Sequence, residues 1–184
     1  MNPETGTQAD DSPVLASLTV MERNEVLGVL LEAHPELQDE AERMAQALLS
    51  TTSVEQVAAE VEAALARIPV EALAVRAGRV HGRGYVHETE AAGELLEETR
   101  EQFRADLERL ACLNVKGAAS HITVGIVAGL HRVRDPEVGT VPGYAGEDAA
   151  PELAASVLHL SATLRVVIPD DAPGEHWPSW ADRL

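Results

Sequence analysis

Residues 116–134 read KGAASHITVGIVAGLHRVR, and the run from Ala118 to Leu130 is the most apolar stretch of the chain. As a helix, it places Ile122, Val124, Ile126, Val127, Leu130 and Val133 around most of its circumference. A helix apolar nearly all round belongs at the centre of a protein. It falls short of the roughly 18–20 apolar residues that span a bilayer, and His121 interrupts it. The segment is therefore predicted to be a buried helix. Gly125 and Gly129, four apart on it, let a neighbouring backbone come near.

Working outward, apolar residues recur at helical period between clear starts and stops. Thr19 and Glu22 form a capping box for a helix running to about Ala33, with Val20, Leu27, Leu30 and Leu31 as its apolar residues. His34-Pro35 ends it. Pro35 opens a second helix with Leu37, Ala41, Met44, Ala45, Leu48 and Leu49 on one side. Ser53 caps a third, whose stripe is Val54, Val57, Ala58, Val61, Leu65 and Ile68. A short helix from Pro69 stops at Gly78, and a glycine-rich connection fills 79–87. The long helix 88–113 turns Ala92, Leu95, Leu96, Phe103, Leu107 and Leu110 inward. Beyond the central helix, 135–148 reads as a loop, and a last helix covers 149–168 before Pro169.

No period-two run marks a strand. The prediction is an all-α fold of about seven helices in stacked antiparallel hairpins, as a short HEAT-like solenoid or an irregular helical bundle. Residues 1–13 are expected to be a disordered lead, 14–168 a single helical domain, and 169–184 a tail holding both tryptophans.

Composition narrows the function classes. Hydrophobic residues make up 45% of the chain but aromatics only 3%, so the core must be aliphatic and its helices close. A net charge of −17 repels polyanions and argues against a nucleic-acid partner. Cys112 is the lone cysteine, which excludes an intrachain disulfide or a cysteine-based zinc site; between Ala111 and Leu113 it is expected in the core. The first eleven residues lack the basic and apolar regions of a secretory signal, so a cytoplasmic chain with no membrane partner is expected.

Several segments carry a resemblance. They are Arg76-Ala77-Gly78-Arg79, Gly84-Tyr85-Val86, Glu90-Ala91-Ala92 with Leu95-Leu96-Glu97-Glu98, Asp106-Leu107-Glu108-Arg109-Leu110, and Gly125 to Leu130. Over residues 54–133 the chain resembles the helical, HEAT/TPR-like region that accompanies SWIM-type zinc fingers in bacterial proteins. The resemblance implies a helical-repeat scaffold. The zinc finger itself is absent, so that family's zinc and DNA associations do not carry over.

Residues 76–87, RAGRVHGRGYVH, gather three arginines, two histidines and three glycines in an acidic chain. Arg76, Arg79, Arg83, His81 and His87 are the candidate ligands for a small anion, because guanidinium forks match carboxylate and phosphate. The competing reading is a helix connection whose arginines pair with carboxylates of the next helix. Along that helix Glu90, Glu94, Glu97, Glu98 and Glu101 resemble a di-metal face, but Arg100, Arg104 and Arg109 are spaced to neutralise it. His121, His131 and His159 could meet on zinc if the last two helices pack together, or serve as hydrogen-bonded partners. Trp177 and Trp180 suit a partner-binding anchor. No catalytic residue, metal ligand or cofactor is assigned. The expected function is a non-enzymatic protein–protein interaction scaffold, its partner another protein or a second copy of the chain as a homodimer; the alternatives are an anion-binding regulatory domain and a metal-dependent enzyme.

Overall fold

The computed structural model describes residues 13–82, 84–133 and 139–168. The chain divides into two compact units, the first ending at Gln46 and the second beginning at Ala47.

The first unit contains α1 (Pro13–Ser17), α2 (Val20–Ala33), a 3-10 turn (Pro35–Leu37) and the start of α3 (Gln38–Leu49). The capping box forms as expected. Thr19 Oγ1 accepts from the Glu22 N–H at 3.3 Å, and Glu22 Oε2 accepts from the Thr19 N–H at 2.8 Å. Pro35 opens the tight turn, and the α-helix proper begins three residues later. α2 packs on that turn, but α2 and α3 do not pack along each other. No residue from Val14 to Gln46 is buried. Of the apolar residues that follow a helical period on α2, Val20, Leu27 and Leu30 are exposed and Leu31 is half-buried.

The second unit takes in the last turn of α3, then α4 (Val54–Ala66), α5 (Glu71–Arg76), β1 (Gly78–Val80), β2 (Gly84–Val86), α6 (Glu88–Cys112), α7 (Lys116–Arg132), α8 (Val141–Ala145) and α9 (Ala149–Thr163). The fold is all-α with one small hairpin. Nine α-helices lie among the described residues instead of about seven. The two additions, α1 and α8, are five residues each, too short to display a period. α8 lies within the expected loop: Thr140 caps it by accepting from the Gly143 N–H at 3.4 Å, and Pro142 sits in its first turn. The strands replace a connection expected to be irregular. At three residues each they are too short for alternation, and Gly82 and Gly84 turn the chain at φ of 84° and 85°.

α7 is the core helix. From Ala118 to Leu130 every residue except His121 is buried. α4, α6 and α9 pack around it. The approach of α4 is closest: a Cβ built on Gly125 would lie 2.5 Å from Val57 Cβ and 2.9 Å from the Val54 carbonyl oxygen. On Gly129 it would lie 2.6 Å from Val61 Cβ and 2.8 Å from the Ala58 oxygen. Carbon contacts settle near 3.5–4.0 Å, so no side chain fits at either position.

Moving from Gly125 to Gly129 advances the partner from Val57 to Val61, so the two helices run parallel. Two side chains of α7 bind the N-terminal end of α4. His121 Nδ1–H donates to the Thr52 carbonyl at 2.7 Å, just before α4. Arg132 makes two bonds to Glu55, at 3.0 and 2.6 Å.

α6 buries the six positions expected of it, and Arg100 as well, only 5% exposed. Arg100 falls on the same inward row as Leu96, Phe103 and Leu107, and its guanidinium pairs with Glu97. α6 ends in a Schellman turn: Asn114 takes φ 58°, and the Val115 N–H reaches the Leu110 carbonyl at 3.0 Å. Arg165 closes α9 in the same way at φ 57°. Cys112 is exposed, against the expectation of a core thiol. Two positions beyond buried Leu110, it is rotated by about 200° toward solvent.

Gly125→Ala and Gly129→Ala are each expected to destabilise the fold by about 2–3 kcal/mol, because the added methyl forces α4 outward. Gly93→Ala in α6 meets nothing within 4 Å, so it should stabilise by roughly 0.5–1 kcal/mol through helix propensity. Chemical denaturation of the three variants checks both signs.

Candidate functional site

The arginine- and glycine-rich segment does not act as one unit. Arg76 ends α5, and its guanidinium makes two parallel bonds to Glu98 of α6, at 2.6 and 2.7 Å. That hydrogen-bonded pairing holds the Glu98 carboxyl below the usual carboxylate range. His87 caps α6, its Nδ1 accepting from the Thr89 N–H at 3.4 Å. Arg79 faces Tyr85 across the β1–β2 ladder, and both are exposed, as is His81 in the turn. Arg83 lies outside the described residues, as do Trp177 and Trp180. Two of the five candidates are thus engaged within the fold, and two stand on the open hairpin.

The carboxylates of α6 are largely spoken for by its own arginines. Arg100 pairs with Glu97, Arg104 with Glu108 at 3.0 Å and Glu101 at 3.3 Å, and Arg109 with Asp106 at 3.1 Å. No group of three or more His, Cys, Asp or Glu side chains among the described residues could hold a metal ion. His121 is bound to the Thr52 carbonyl and His159 is exposed on α9.

A cleft between α4 and α6 has Phe103, Ala59 and Ala63 on its floor and Gln56, Glu60 and Asp106 at its edge. Its polar groups answer one another: Gln56 donates to Glu60 at 2.9 Å, and Asp106 holds Arg109.

The unusual surface lies in the first unit. Val26, Val29, Leu30 and Ala33 of α2 join Leu18 to line an apolar groove edged by Glu22, Glu25 and His34. Val20 and Leu27 stand on the other side of the same helix, 73% and 50% exposed. α2 is thus apolar on two sides and buried on neither. Ten large aliphatic side chains from Val14 to Met44 are exposed. Large apolar side chains gathered on one exposed element, as opposed to scattered singly over a surface, mark an interaction site.

Composition and period locate Val20, Leu27, Leu30 and Leu31 as one stripe. The readable signal for a second surface was Val26, Val29 and Ala33, at spacings of three and four on the opposite side. No protein-family model, curated protein or solved structure matches the chain. Function must be read from this geometry.

Glu98→Gln tests the hairpin's attachment to α6. Because the folded-state pKa of Glu98 is depressed, its contribution is present above the unfolded value and lost as pH falls through the folded one. The variant should melt below wild type at neutral pH, with the gap closing below about pH 4. Melting temperature measured across pH checks this; a gap independent of pH would show that the pair's charge contributes nothing.

Proposed function

We propose that this chain is a non-enzymatic interaction scaffold of the cytoplasm, and that its N-terminal helices are the surface that docks onto another protein. One observation carries the reading: α2 has apolar side chains on two sides, yet no residue from Val14 to Gln46 is buried. A helix of that composition is stable in water only marginally, since most helical stability comes from packing an apolar face. A partner supplies the missing packing. The second unit supports the same role as a rigid body, with a continuous aliphatic core from Val57 to Val157. The resemblance over residues 54–133 points the same way, toward a helical scaffold. No described helix is long and apolar enough to cross a membrane.

A photoreactive amino acid placed at Val29, and separately at Leu113 of the second unit, tests the surface in the cell. Both positions are exposed, at 61% and 53%. The expected result is a discrete cross-linked protein from position 29 and none from 113. Equal yields from both positions, or none from either, would overturn the reading.

A further inference from the structure

The α2 groove carries information about what covers it. Glu22 and Glu25 line the groove beside its apolar floor, and Glu32, seven residues after Glu25, continues the same side of α2. Among the described residues, Glu25 and Glu32 have no hydrogen-bond or ion-pair partner. Glu22 is held charged by its bonds to the Thr19 N–H and hydroxyl.

Between residues 13 and 46 there are seven acidic side chains and two arginines. Both arginines are engaged at home: Arg23 Nε donates to the Leu18 carbonyl at 3.0 Å, and Arg43 pairs with Glu40. The surface is therefore apolar with an unanswered negative edge.

Resting on the docking role argued above, we propose that the groove receives a cationic amphipathic helix from another protein. The partner lays its apolar face on Val26, Val29, Leu30 and Ala33 and sets Arg or Lys against Glu25 and Glu32. Helix-in-groove recognition uses anchors at i, i+3, i+4 and i+7, which matches the spacing of these residues. The lined stretch from Leu18 to His34 is about 24 Å long at helical rise, room for about 16 residues of a partner helix. A second copy of the chain is the poorer occupant. It would set the same acidic edge against the groove's own, and like charges facing across an interface are unfavourable. The net charge of −17 also draws a basic segment toward the protein over long range.

The test titrates full-length protein with a fluorescent helical peptide of about 18 residues, leucines on one face and Lys/Arg elsewhere. A charge-reversed version carrying Glu is titrated in parallel, and sedimentation velocity gives the oligomeric state of the chain alone. The basic peptide should bind and the acidic one should not. Binding should weaken about tenfold or more in Val26→Ser/Val29→Ser/Leu30→Ser, and several-fold in Glu25→Gln/Glu32→Gln with a shallower salt dependence. All these positions are exposed or line the open groove, so the variants keep the fold.

If the triple serine variant binds the basic peptide as well as wild type, the attraction is diffuse charge and the proposal is overturned. If both peptides bind alike, the docking role stands and the cationic partner class falls. A dimer that Val29→Ser dissociates, with no peptide binding, shows that a second copy covers the groove and overturns the proposal. A monomer that binds neither peptide overturns it as well, and then only the cross-linking result decides whether another kind of protein docks here.

Discussion

The contact between α4 and α7 is the constraint on which the second unit depends. Two glycines one turn apart remove the side chains that would otherwise hold the helices at normal separation, and Val57 and Val61 fill the space they leave. A chain with 3% aromatic residues has no large rings to bridge a wide gap between helices. Close approach is therefore how an aliphatic core reaches native packing density. With α4 fixed on one side of α7, α6 and α9 are left to cover the others. The bonds from α7 to the start of α4, His121 to Thr52 and Arg132 to Glu55, set how the two helices slide along each other. The most extensive packing thus joins α4 and α7, helices well apart in sequence.

α2 and α7 make an instructive pair. Both have apolar residues on more than one side, and in both the pattern calls for burial. For α7 the surrounding helices come from its own chain. Within its own unit α2 has no such neighbours, and most of its valines and leucines are exposed beside carboxylates. The same physical demand, met inside one unit and unmet in the other, is the basis for a binding role in the N-terminal helices.

Charge is arranged with equal economy. The arginines of α6 sit three or four residues from its acids and neutralise a face that could otherwise pass for a metal site. Arg76 reaches farther, to Glu98, and fixes the end of α5 to α6. What remains without a counter-charge includes Glu25 and Glu32 on α2. A negative edge beside an apolar floor selects for partners as well as holding them.

The sequence by itself determined the local structure. Thr19 and Ser53 as caps, the His34-Pro35 stop, the inward row of α6 and the two glycines of α7 are each encoded within a few residues, where hydrogen-bond geometry and side-chain period act. The strands and the five-residue helices escaped it because they end before a periodic pattern can repeat. Cys112 was misplaced because an apolar neighbourhood in sequence is not a direction in space; two residues after Leu110 on a helix is the opposite side. Only the tertiary structure decided which apolar faces find cover. That outcome depends on whether a complementary surface exists to receive the face, and within its own unit α2 finds none among the described residues. Periodicity records that a face is apolar; burial is a property of two surfaces, and the second one is not written in the segment that carries the first.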